Sequence, residues 1–134
     1  MIIGFTCGAF DLLHAGHLAM LEESKRQCDW LTVGLHTDPS KDRPEKNSPV
    51  QSVFERYYQL SACKAVDSII PYDTELDLEN MMGILPINKR FVGADHINDF
   101  ITGYEIMEKR GIEVIYTGRH HTYSSSELRE RILK

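Results

Sequence analysis

The sequence predicts a doubly wound α/β fold, with five parallel strands and helices on both faces of the sheet. Two observations lead to it. Apolar runs of strand length alternate with helix-length stretches from one end to the other, the pattern of successive βαβ units. One of those runs, Trp30-Leu31-Thr32-Val33-Gly34-Leu35, is almost continuously apolar. A strand covered by helices on both faces needs that composition, because neither of its sides meets water.

Each element can be justified in turn. Met1-Ile2-Ile3-Gly4-Phe5 reads as the first strand, and Leu18, Leu21, Glu22 and Lys25 set the period of a helix over residues 17–27. His36-Thr37-Asp38-Pro39-Ser40 ends the second strand. Residues 41–49, polar and broken by Pro44 and Pro49, read as a mobile loop carrying Lys41, Arg43 and Lys46. On charge alone those cations are solvated and partly offset by Asp42 and Glu45. Ser52-Val53-Phe54-Glu55 is a capping box that opens a helix running to about Lys64. Val66-Asp67-Ser68-Ile69-Ile70-Pro71 is the third strand, and acidic residues 73–79 lead into a helix that stops near Gly83 and Pro86. Lys89-Arg90-Phe91-Val92-Gly93 is the fourth strand, closed by Ala94-Asp95-His96. Asp99 is expected to begin the fourth helix, which ends at Gly111 with Lys109 and Arg110 in its last turn, where the helix dipole favours cations. Ile112-Glu113-Val114-Ile115-Tyr116 is the fifth strand, residues 117–123 a loop, and Ser124-Ser125-Ser126-Glu127 a second capping box heading the final helix.

Composition narrows the function. The 134 residues suit one domain, over residues 1–134, with a sizeable core. A net charge of −5 lacks the basic face of a nucleic-acid binder, so no nucleic-acid partner is expected. No apolar run approaches the roughly 20 residues of a membrane span, and the start of the chain lacks a signal-peptide design, so no membrane association is expected. Cys7, Cys28 and Cys63 are odd in number and far apart, which suits a reducing, cytoplasmic setting. Cys7 reads as a small buried filler.

The stretch that organises the chemistry is Gly8-Ala9-Phe10-Asp11-Leu12-Leu13-His14-Ala15-Gly16-His17. It passes from a strand through a glycine-containing turn into a helix start. Unpaired N–H groups and the helix dipole at such a point attract phosphate. His14 and His17, three apart, can face one ligand. Zinc would need two further ligands, and neither a Cys-x-x-Cys nor a second tight His/Cys pair follows. The adjacent His120 and His121 would diverge on any regular element. Topology adds a second argument. In parallel sheets ligands sit beyond the carboxyl ends of the strands, where strand order switches. The segments 8–17, 93–95 and 119–126 all follow strands and can meet on one edge.

This decapeptide resembles the signature of the cytidylyltransferase-like nucleotidyltransferases. It is most similar to the glycerol-3-phosphate type, with the heptose-phosphate type close behind. The family usually has threonine or valine where Ala9 stands, a position that contributes mainly backbone. Arg119-His120-His121-Thr122-Tyr123-Ser124-Ser125-Ser126 resembles the family's arginine-then-serine/threonine element. The resemblance implies a Rossmann-like fold, a homodimer, and a magnesium-dependent transfer from a nucleotide triphosphate to a small phosphorylated alcohol or sugar. CTP is the favoured donor and ATP the alternative; a nucleotide-binding module without turnover is the rival from another class.

The resemblance also implies roles. His14 and His17 would contact the phosphates and stabilise the transition state, with Arg119 and Lys46 assisting. Gly8, Ala9, Phe10, Asp11, Gly16, Asp95, Tyr123, Ser124, Ser125 and Ser126 would complete the nucleotide site with Arg119. Arg43 and Arg56 would face the acceptor. Asp11 would either help hold magnesium, most of whose ligands are triphosphate oxygens, or brace the turn. In the acceptor region this chain has Asp73, Glu75, Asp77 and Glu79 where glycerol-phosphate enzymes place lysines. Residues 71–99 read as much like the heptose type as the glycerol type.

Overall fold

A computed structural model describes residues 1–118 and 125–133, the side chains of Ser125 and Ser126 excepted. The strands are β1 (Ile3–Gly8), β2 (Trp30–His36), β3 (Ser68–Tyr72), β4 (Lys89–Gly93) and β5 (Glu113–Thr117). Between and after them lie α1 (Ala15–Lys25), α2 (Val53–Ser61), α3 (Glu75–Ile84), α4 (Tyr104–Arg110) and α5 (Ser125–Leu133). The strands pair in the order β3-β2-β1-β4-β5, all parallel. The order reverses between β1 and β4, so the switch point lies above those two strands.

Alternation along each strand divides the core into two layers. Leu31, Val33 and Leu35 of β2 and Phe91 of β4 pack with Leu21 of α1 and Leu60 of α2. On the opposite face Phe5 and Tyr72 pack with Leu78 and Met82 of α3 and Met107 of α4. The expected Rossmann-like sheet with helices on both faces is the observed one.

Several boundaries differ from expectation, each for a local reason. β1 continues through Thr6 and Cys7 to Gly8, because pairing with β2 holds as far as Gly8 opposite Leu35. Gly8 therefore ends a strand rather than sitting inside the turn. β3 starts at Ser68 and keeps Pro71, which a sheet edge tolerates because no partner there needs its N–H. The fourth helix begins at Tyr104, not Asp99. Residues Ala94–His96 form a short 3₁₀ turn, and His96 Nδ1 donates to Asp99 Oδ2 at 2.8 Å, which turns that carboxylate back toward the strand end instead of forward as a cap. α4 does end at Gly111, whose φ of 72° is the left-handed cap conformation glycine adopts without strain. The acidic residues 73–79 serve α3 locally: Asp77 Oδ2 accepts from the Thr74 N–H at 3.1 Å, and Thr74 Oγ1 accepts from the Asp77 N–H at 3.0 Å.

Candidate active site

The turn after β1 is built under strain. Phe10 and Leu12 have φ of 50° and 51°, left-handed values that cost a branched or bulky residue about 1 kcal/mol or more. The surroundings hold them there. The Phe10 ring is buried in the core, 5.5 Å from the ring of His17. Leu12 N–H donates to Gln51 Oε1 at 2.8 Å. The Asp11 carboxylate accepts from Val50 N–H at 2.8 Å and Gln51 N–H at 2.9 Å, and Arg129 Nη2 reaches it at 3.3 Å. Asp11 thus fastens the turn to the entry of α2, the bracing one of its two expected roles.

The two histidines order each other. His14 is the N-cap of α1, and His17 stands at the third helical position in a capping box made of imidazoles. His14 Nδ1 accepts from Gly16 N–H at 3.0 Å, and His17 Nδ1 accepts from His14 N–H at 3.2 Å. The rings stack with centroids 3.9 Å apart. An Nδ1 that accepts a hydrogen bond carries no proton, so this network assigns the proton of each neutral ring to Nε2. Burial, then the neighbouring His14, lower the pKa of His17 to about 4, although Asp11 acts the other way. His17 is a neutral donor at physiological pH. Two N–H donors beside a helix N-terminus suit phosphate oxygens.

Around the pair lies a cleft of about 930 Å³ over the β1–β4 switch point. Gly8, Ala9, Phe10, Asp11, Gly16 and Asp95 all line it. Gly93 makes room for Asp95: a β-carbon there would stand 2.7 Å from Asp95 Oδ1. Arg43 and the exposed Lys46 line the cleft too, while Lys41 does not. Arg43 Nε pairs with Glu75 Oε1 at 3.5 Å, and Asp42 Oδ2 accepts from Glu75 N–H at 2.6 Å, tying the 41–49 loop to α3.

Arg56 requires a correction. It is only 2% exposed and does not line the cleft. Its guanidinium donates to the carbonyls of Gln51, Ala9, His36 and Thr37 at 3.1, 3.0, 2.8 and 2.6 Å. Those bonds bind three loops together beneath the site, so Arg56 is a brace and not an acceptor contact. Arg119, Tyr123 and Ser124 lie outside the described residues, as do the side chains of Ser125 and Ser126. The described residues on either side, Gly118 and Arg129, line the cleft.

Sequence reasoning overlooked the α3–α4 side of the cleft. His36, Tyr72, Glu75, Arg90 and Thr102 line it. His36 is buried, stacks on Tyr72 at 4.6 Å and donates from Nε2 to the Asp73 carbonyl at 3.1 Å. Burial pushes the Tyr72 phenol well above its ordinary pKa, so it stays protonated. The overlooked signal was a charge inside a strand expected to be apolar: Arg90 points the only such guanidinium of β4 into a core-facing position.

Among the described residues no group of three or more His, Cys, Asp or Glu side chains could hold a metal ion. No helix among them is long and apolar enough to cross a membrane.

Comparison with known proteins agrees with this geometry. The chain is 38% identical over 114 residues to the Bifunctional protein HldE of Hyphomonas neptunium, across 84% of this chain and 23% of that protein. It thus spans about a quarter of the length of such curated relatives. The crystal structure of the lipopolysaccharide core biosynthesis protein from Thermoplasma volcanium superposes with a TM-score of 0.71 at 28% identity, covering 92% of this chain and 99% of that one. The pantothenate synthetase of Thermus thermophilus, at 14% identity and a TM-score of 0.63, covers 98% of this chain and 64% of its own and shares the fold. The cytidylyltransferase-like family model matches residues 5–131, from the first strand to the last helix, and with the paired imidazoles at the head of α1 it makes this chain a member of that nucleotidyltransferase-like family.

Proposed function

We propose that the protein transfers a nucleotidyl group from a nucleotide triphosphate to a small phosphorylated sugar or alcohol, with ATP and a sugar phosphate the preferred pair. The observation that carries this reading is the stacked His14–His17 pair, its Nδ1 atoms held by backbone N–H groups. In the reaction an acceptor phosphate oxygen attacks the α-phosphorus. A new P–O bond forms as the bond to the bridging oxygen breaks, and pyrophosphate leaves. Negative charge grows on the non-bridging and leaving oxygens. Fixed donors that need no reorganisation stabilise that charge more than they stabilise the ground state. The Nε2–H of each histidine supplies such a donor. In this reading Asp95 faces the nucleoside, and Arg119 with residues 123–126 takes the β- and γ-phosphates. Magnesium would arrive on triphosphate oxygens rather than in a site built by the protein.

The donor preference moves from CTP to ATP for three reasons. Glu75 lines the cleft where the glycerol-phosphate type has lysines. Residues 71–99 read as much like the heptose-phosphate type, for which ATP is the donor, as like the glycerol-phosphate type. The Thermoplasma volcanium structure is titled a lipopolysaccharide core biosynthesis protein, and such a core is a saccharide.

The test is pyrophosphate release with each of the four ribonucleotide triphosphates against a panel of sugar and alcohol phosphates. Release dependent on ATP and a sugar phosphate is expected. Release with CTP and glycerol 3-phosphate would restore the first preference. Nucleotide binding without release from any pair would point to a binding module.

A further inference from the structure

The cleft holds a buried charge that the nucleotide site does not use. Arg90 is 5% exposed and lines the α3–α4 side of the cleft. Its Nη1 donates to the Thr102 carbonyl at 3.1 Å and lies 3.8 Å from Met107 Sδ, while Nη2 lies 3.4 Å from Cys7 Sγ. The Phe5 ring is 5.7 Å from its central carbon. Its Nε has no hydrogen-bond partner, and among the described residues no carboxylate forms an ion pair with it. Glu75, also on this side, pairs with Arg43 and accepts from Thr102 Oγ1 at 2.9 Å.

A buried arginine nearly always has a carboxylate or phosphate partner, because an uncompensated charge away from water is costly. Sulfur is a weak acceptor and does not balance a guanidinium. The edge made by Nε and Nη2 therefore carries one orphan donor and one weak bond. That edge is the fork that takes two oxygens of an oxyanion. We propose that Arg90 anchors the acceptor substrate by an oxyanion, a phosphate monoester or a carboxylate, entering the cleft beside Cys7 and Tyr72. The word acceptor rests on the nucleotidyl-transfer reading; the oxyanion site does not. An arginine here also divides the cleft chemically, with imidazole donors for the triphosphate on one side and a fixed cation for the acceptor on the other.

The anchor can be tested without turnover. In wild-type protein, the side-chain Nε–H resonance of Arg90 should shift saturably on adding inorganic phosphate or acetate, and the stronger of the two names the oxyanion. Assignment by Arg90→Lys, which removes that resonance, keeps the readout specific to this residue. With the acceptor identified by the pyrophosphate panel, Arg90→Met should raise its KM by about 100-fold, with kcat changed only a few-fold and nucleotide affinity unchanged. Arg90→Lys should fall between, because it keeps the charge and loses the fork. A resonance indifferent to both anions would overturn the proposal even if Arg90→Met failed to fold, and so would an unchanged acceptor KM in a folded Arg90→Met. The two readings separate cleanly. Protein that binds no nucleotide yet shifts Arg90 with phosphate keeps the anchor and loses the transferase, and the reverse pattern does the opposite.

Discussion

The two sides of the cleft are made in different ways. The turn after β1 is local: within residues 8–17 the chain supplies its own strained backbone, its own cap and both imidazoles. The side beneath α3 and α4 is assembled from Cys7, His36, Tyr72, Arg90 and Thr102, which belong to four strands and a loop. A mostly local site can be reused with few outside contacts, here those from Val50, Gln51 and Arg129. An assembled one can change one residue at a time without disturbing the chemistry.

The largest effect that sharpens this contrast belongs to His17. His17→Ala should lower kcat about 1,000-fold, or roughly 4 kcal/mol, by removing a donor to developing charge. Its stability should fall by only about 1 kcal/mol as the capping box loses one partner. Steady-state kinetics and urea denaturation decide it, and near-normal kcat would remove the turn from the chemistry.

Next comes a pair of buried arginines that look alike and should behave oppositely. Arg56→Met leaves four backbone carbonyls unpaired and should cost about 3 kcal/mol of stability. Arg90→Met removes a charge without a carboxylate partner and should cost little or even stabilise. Equal losses in the two denaturation midpoints would break the distinction between brace and anchor.

A smaller effect is pH dependence from the turn. His17 has a folded pKa near 4, below its ordinary 6.5, so the unfolded chain takes up a proton that the folded one rejects. Its stabilising contribution is whole above pH 6.5 and is lost as pH falls toward 4. His17→Gln should flatten the melting temperature over that window, and ring resonances of His17 titrating near 6.5 would refute the assignment. The smallest effect should come from Thr102→Val, which removes the bond to Glu75. About 1 kcal/mol of stability and a modest rise in acceptor KM are expected, with nucleotide affinity, measured by calorimetry, unmoved.

Much of this protein could be read directly from its residues. A continuous apolar strand such as residues 31–35 is buried on both faces, and the doubly wound sheet follows from it. The decapeptide of residues 8–17 acts through neighbours within three positions, and spacing alone brings its two histidines together. The capping box at Ser52 and the glycine stop at Gly111 are likewise matters of adjacent residues. Tertiary structure decided the rest. Arg56 looked like a substrate contact until its donors were found on carbonyls from three separate loops. Asp11 reads equally as a metal ligand or a brace in sequence, and only the approach of Val50 and Gln51 shows that it braces the turn. Arg90 looked like an ordinary strand residue until pairing put it on the inner face, 83 residues in sequence from the sulfur it touches. A charge's role depends on which partners surround it, and partners far apart in the chain are chosen only when the sheet closes.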